Sequence, residues 1–225
     1  MDIVNMSLIQ LVNDGDHDAI RRLILSNKID LNEGNALEIA ICNGDKTMAQ
    51  LLIDEGAYIN LCNPNTGIMP IYHAIESNDI GMVTLLLSYG PDHLIDQSTG
   101  MTSLHLAIRN DNLCMVGLLL SDPNIDVNAI TDIEKESPLH YAVHVGNEDI
   151  VDFLLINKST NVNAMNINGE TPLLSASKYG HVDICKKLIH HGAYVGLADA
   201  DGMDPLSCWV HHGNGEMIAY LNGAT

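Results

Sequence analysis

The sequence predicts an all-α solenoid of seven stacked helix-turn-helix units joined through β-turn tips. Three observations predict it. A short pattern of the type Thr-Pro-Leu-His recurs in phase along nearly the whole chain. Within each copy, two segments place apolar residues at i, i+3 and i+4, the spacing of an amphipathic helix. Aromatics are scarce (Phe 1, Trp 1, Tyr 7), so the core must be aliphatic, as close stacking of short helices favours.

The copies open at residues 6, 35, 69, 102, 137, 171 and 204, at intervals of 29, 34, 33, 35, 34 and 33. The first opens at Met6-Ser7-Leu8 and is the shortest, which makes residues 1–34 an N-terminal cap. Internal copies fill residues 35–199, with openings at Asn35-Ala36-Leu37, Met69-Pro70-Ile71, Thr102-Ser103-Leu104-His105, Ser137-Pro138-Leu139-His140 and Thr171-Pro172-Leu173. The last opens at Asp204-Pro205-Leu206, and residues 200–225 form the C-terminal cap of a single repeat domain spanning 1–225. Thr or Ser at an opening caps a helix, and Pro fits its first turn, where a missing N–H costs nothing. Gly-containing turns such as Asn168-Gly169 and Asp201-Gly202 precede the openings.

Each first helix runs to a Gly or small polar residue: Gly15, Gly44, Asn78, Asp111, Gly146, Gly180 and Gly213. The second helix follows, with Ile150, Phe153 and Leu154 on the apolar face of one copy and Ile184, Leu188 and Ile189 in the next. Cys114 and Cys185 fall on these core stripes. Loops such as Val127-Asn128-Ala129 and Val162-Asn163-Ala164 end the copies. Neither helix can bury its face alone, so neighbouring copies must share one aliphatic core.

This pattern resembles the ankyrin repeat, with its period near 33 residues and its T-P-L-H-x-A signature. The resemblance covers almost the whole chain. It implies a non-enzymatic module without cofactors that binds a partner protein through a concave face, as adaptor, scaffold or inhibitor. A host-targeting effector of a virus or intracellular bacterium is the alternative, and an enzyme a remote one. In the family that face is lined by turn tips and by two positions near the end of each first helix. Carried over residue by residue, the helix-end positions are Arg109, His144, Lys178, Tyr179, His211 and His212, and the tip positions include Ile68, Met101, Ile133, Ile167 and Met203. Apolar side chains on solvent-exposed turns suit a binding surface better than free solvent. Tyr179, a large ring with a polar end, is the expected hot spot. The family also uses the imidazole of its signature to hydrogen-bond loop backbone between copies, a structural role expected of His105 and His140. His181 is likewise expected to be structural.

Composition narrows the partners. With 10 Lys+Arg against 29 Asp+Glu, the net charge is 10 − 29 = −19. That excludes nucleic acid bound through phosphates and disfavours an anionic membrane. Residues 29–108 hold ten acids (Asp30, Glu33, Glu38, Asp45, Asp54, Glu55, Glu76, Asp79, Asp92 and Asp96) against Lys46, a balance of 1 − 10 = −9. Such a field steers a basic partner. The N-terminus lacks the basic and long apolar regions of a secretory signal. The five cysteines contain no CxxC pair, which fits reduced thiols in a cytoplasmic or nuclear protein, expected to be monomeric. No GxSxG, P-loop or HExxH motif is present. His140 and His144 share a helix face, but no third metal ligand is placed beside them. Asp199-Ala200-Asp201-Gly202 lacks the remaining ligands of a calcium loop and coincides with a repeat turn. Leu221-Asn222-Gly223-Ala224 echoes the Gly-Ala that ends other copies, which leaves open a longer protein.

Overall fold

The computed structural model describes residues 7–26 and 29–223; Met6 and Ala224, used above in reading the first and last copies, lie outside them. The chain forms two compact units, Met1–Ser98 and Thr99–Thr225.

In the first unit, three helix pairs follow the predicted register: α1 (Leu8–Asp14) with α2 (His17–Leu25), α3 (Ala36–Cys42) with α4 (Lys46–Asp54), and α5 (Pro70–Glu76) with α6 (Ile80–Ser88). Ser7 caps α1 by accepting from the Gln10 N–H, so this helix starts one residue later than the opening assigned at Met6. Leu8 keeps its expected core place at 3% exposed. Asp16, Asp45 and Asp79 cap the second helices, each accepting at 2.9 Å from the N–H three residues on. The interior is aliphatic, sealed by residues such as Ile20, Met48, Leu52, Met82 and Leu86. A short strand, β1 (Leu94–Asp96), runs antiparallel beside Ile68, and the Met69 N–H donates to the Ile95 carbonyl.

The second unit opens with β2 (Met101–Thr102) and stacks four pairs: α7 (Ser103–Arg109) with α8 (Leu113–Leu120), α9 (Pro138–Val145) with α10 (Glu148–Ile156), α11 (Pro172–Tyr179) with α12 (Val182–His190), and α13 (Pro205–His212) with α14 (Gly215–Gly223). Thr102, Ser137, Thr171 and Asp204 cap the first helices through their side chains, and Pro138, Pro172 and Pro205 occupy the first turn.

One position recurs through both units. Gly15, Gly44, Asn78, Asp111, Gly146, Gly180 and Gly213 all sit at positive φ, between 52° and 77°. The chain must turn left-handed there to send the second helix back against the first. Gly does this without a Cβ penalty, and Asn and Asp tolerate it best among the rest.

The second-helix stripe is rotated slightly from the sequence expectation. Buried positions run i, i+1, i+4: Met115, Val116, Leu119; Ile150, Val151, Leu154; Ile184, Cys185, Leu188. Two expectations are corrected as a result. Phe153 falls beside the stripe and is 45% exposed, with its ring edge over Gly117 of α8, where no side chain competes for the space. Cys114 precedes the stripe by one residue and is exposed rather than core.

Candidate functional site

The turn tips of the second unit are tied in series by backbone hydrogen bonds. Asp132 N–H donates to the Thr99 carbonyl at 2.7 Å, Ile167 N–H to Glu134 at 2.8 Å, and Ala200 N–H to Asn168 at 2.9 Å. Two buried imidazoles reinforce the series. The Thr102 N–H donates to Nδ1 of His105 and the Ser137 N–H to Nδ1 of His140, which leaves the proton on Nε2. Nε2 of His105 then donates to the Glu136 carbonyl at 3.2 Å, and Nε2 of His140 to the Glu170 carbonyl at 3.0 Å. Helices α7 and α9 therefore each hold the tip of the next copy, as the resemblance led us to expect. Burial pulls both imidazoles down to about 4, with the carbonyl bond opposing it only in part.

On this frame the apolar tip residues divide by position. Ile133 and Ile167 lie four residues before their openings and are 60% and 61% exposed. Ile68, Met101 and Met203 lie one residue before theirs. That position faces the last turn of the first helix, eight residues on. Glu136 meets His144 there at 3.5 Å, Glu170 meets Lys178, and the Met101 sulfur accepts from Arg109 Nη1 at 3.6 Å. Met101 is consequently buried and Ile68 half-buried, a correction to the row of five exposed apolar tips. Met203 remains 40% exposed. The sequence reading grouped two structurally different tip positions because both fall in the same turn.

The helix-end residues Arg109, His144, Lys178, Tyr179, His211 and His212 are all exposed. Two of them, His144 and Lys178, face carboxylates. Lys178 sits between Glu170 and Asp199, the latter at 2.7 Å with only 4% of its side chain exposed. Burial works against the Lys178 charge, but the bonds to Asp199 and Glu170 outweigh it and raise its pKa. The same lysine lowers the carboxyl of Asp199. At Glu136, burial raises the carboxyl and His144 offsets part of the rise. Glu136 and Glu170 were among the tip positions of the sequence reading, but their pairing with His144 and Lys178, and the part played by Asp199, were not foreseen; the regular eight-residue spacing of Glu136–His144 and Glu170–Lys178 was the available signal.

Tyr179 borders this network and is 58% exposed. Its ring meets His144 edge-on at 5.3 Å and lies at 5.9 Å from His181. Beside it, Lys178, Met203, Cys208, His211 and His212 line a cleft of about 340 Å³. The same helix is tied to α11 by Trp209, whose Nε1 donates to Ser177 Oγ at 3.0 Å, and by His212, whose Nε2 lies 3.1 Å from the Ser177 carbonyl. Exposed apolar groups, one accessible aromatic and a rim of paired charges form a surface suited to burying a partner's side chains. Among the described residues, no cluster of three or more His, Cys, Asp or Glu could hold a metal. Among the described residues, no helix is long and apolar enough to cross a membrane either.

Comparison with known proteins agrees with this architecture. A family model described as ankyrin repeats (3 copies) matches residues 37–131, 71–166 and 139–224. The crystal structure of the ankyrin repeat domain of Bcl-3, a member of the IkappaB protein family, superposes with a TM-score of 0.81 at 25% identity, covering 91% of this chain and 93% of that one. The human palmitoyltransferase ZDHHC13 is 32% identical over 188 residues, 82% of this chain. A putative ankyrin repeat protein of Rickettsia bellii is 34% identical over 90 residues, 38% of this chain. The chain spans only 30% and 54% of the lengths of these two relatives.

Proposed function

The chain belongs to the ankyrin repeat family, and from that premise we propose that it binds a protein partner without chemistry, through the tip and helix-end surface of its second unit. The observation that carries this reading is the exposure of Ile133, Ile167 and Met203 on tips locked by inter-copy hydrogen bonds, together with that of Tyr179 at the end of α11. A rigid frame reduces the ordering cost of association, so apolar contacts on it contribute more fully to affinity. Adaptor, scaffold or inhibitor roles all follow from such a surface. The five free cysteines suit a reducing cytoplasm or nucleus.

Tyr179 is the proposed hot spot. Replacing it with Ala is expected to weaken partner binding by more than about 1 kcal/mol while leaving the unfolding midpoint unchanged, because the ring is not part of the core. Calorimetric titration alongside thermal unfolding checks both halves. Unchanged affinity would move recognition to another face.

The partner we expect has a basic surface. The ten acids of residues 29–108, and Lys46, all fall within the first unit, so the −9 balance of that segment is concentrated there. Association rates should fall as ionic strength rises from low to physiological and beyond. Stopped-flow rates that stay flat would leave the acidic field as a solubility device. The similarity to palmitoyltransferase ZDHHC13 supports a second reading, in which such a surface recognises protein substrates for a catalytic part elsewhere in a longer chain. The rickettsial relative supports a third, in which the partner is a host protein. In either case the binding surface is the same.

A further inference from the structure

Building on the tip-surface reading, we propose that Lys178 is a positioning residue: through Asp199 it fixes the tip that carries Met203, and so sets one wall of the cleft beside Tyr179 for the partner.

Three tips of the second unit are built alike. The first residue of each turn, Thr131, Asn166 or Asp199, donates its N–H to the carbonyl directly before the next opening, at Glu136, Glu170 or Met203. The first two of these carbonyls take a second bond from the copy behind, from His105 and His140, three residues after their own openings. The same place in the following copy is Leu174, fully buried and without a donor to offer. Among the described residues, the Met203 carbonyl accepts only from Asp199. The third tip thus lacks the neutral, buried bridge that holds the other two.

A charged bridge stands in its place. Of the three residues that begin these turns, only Asp199 is an acid. Its Oδ1 accepts from the Asp201 and Met203 N–H groups at 3.0 and 2.9 Å, which shapes the turn as Asn166 Oδ1 does for Asn168 and Glu170. Its Oδ2 accepts from Lys178 at 2.7 Å. Lys178 lies on α11, the helix that also carries Leu174, so the tip is still held from the copy behind. Glu170 takes a second N–H of the ammonium, which leaves one of three for any partner. Lys178 therefore acts through the tip more than by its own contacts. His105 and His140 are fully buried, whereas the Lys178 side chain is 35% exposed. Salt screens the exposed bridge and spares the buried ones.

The test is amide hydrogen exchange at Ala200, whose N–H donates to the Asn168 carbonyl of the tip before it. Ile167, on the tip held by His140, is the internal reference. In the wild type, Ala200 exchange should quicken relative to Ile167 as salt rises. Asp199→Asn keeps the turn acceptor that Asn166 supplies in its own tip and removes the ion pair. It should quicken Ala200 roughly fivefold at low salt and abolish the salt dependence. Adding Leu174→His should slow Ala200 again without restoring the salt dependence, because Thr171 can meet the new ring as Thr102 meets His105. Against a partner isolated by affinity capture on the wild-type chain, Asp199→Asn should bind several-fold more weakly, since the Met203 wall is no longer pre-set. Lys178→Arg, which keeps the cation, should bind as the wild type does. Ala200 exchange that Asp199→Asn leaves unchanged would overturn the proposal. So would quicker exchange with full affinity, in a chain whose Ile133→Asp variant has lost affinity. Full affinity in both Asp199→Asn and Ile133→Asp would overturn the tip-surface reading itself.

Discussion

Truncating Leu154 or Leu188 to Ala is expected to destabilise the chain by about 2–5 kcal/mol in denaturant unfolding. Both side chains are fully buried on second helices of the second unit. Leu154 sits on α10 with Ile150 and Val151 on its stripe, and Leu188 sits on α12 with Ile184 and Cys185. Each helix has only nine residues and cannot persist without tertiary packing. Removing three heavy atoms from such a contact loses their transfer free energy and leaves a cavity that short, mutually braced helices fill poorly. The outward-facing Ile156, 75% exposed, provides the contrast: its truncation should cost less than about 0.5 kcal/mol. Losses at Leu154 or Leu188 as small as that would mean that the repeat register is wrong.

Stability is expected to fall as the pH drops from 6.5 to 4. His105 and His140 are held neutral in the folded chain at about 4, against 6.5 for an unperturbed imidazole. Within that window the unfolded chain binds more protons than the folded one, so stability rises with pH. The contribution is complete above 6.5 and is lost as pH falls to 4, on the order of 3 kcal/mol per ring. Two physical costs coincide. A protonated ring would carry a charge into the core, and its Nδ1 could no longer accept from the Thr102 or Ser137 N–H. Asp199 and Asp204, whose carboxyls are lowered by hydrogen bonds from Lys178 and Ser207, keep their charge through this window and discharge only below 3.8. Urea unfolding at pH 7, 5.5 and 4.5 should show the decline, and a His105→Gln/His140→Gln double variant should flatten it. An equal slope in the double variant would assign the effect to other groups.

The repeat made much of this fold legible in the sequence. The opening residues fixed the caps and first helices from copy two onward. The seven small residues between helices all proved to be left-handed turns, because only that geometry folds one helix back on the other. The bridging role of His105 and His140 was also foreseen, through the family resemblance. What the sequence did not reveal lies at the scale of a single residue. Met101 and Ile133 lie in equivalent turns of neighbouring copies but at different places in them, Met101 directly before its helix cap and Ile133 three residues earlier in its turn. Phe153 fits a helical stripe on paper, yet a one-position rotation puts it at the margin, over Gly117. Lys178 reads as a free cation until the fold brings Asp199, 21 residues away, to its ammonium. Such pairings depend on how copies stack, which a period alone does not encode.

The most direct test of the proposed binding surface compares two sets of charge substitutions against one partner, isolated by affinity capture on the wild-type chain. Ile133→Asp and Ile167→Asp place charges on the locked tips of the second unit, whereas Phe153→Asp places one on its second-helix side. Equilibrium titration of each, with unfolding midpoints measured in parallel, separates binding from folding. We expect the tip pair to lower affinity at least about tenfold, a loss of roughly 1.4 kcal/mol or more, with Phe153→Asp binding as the wild type does. The reverse pattern, full affinity with charged tips and loss at Phe153, would contradict the account and place recognition on the second helices.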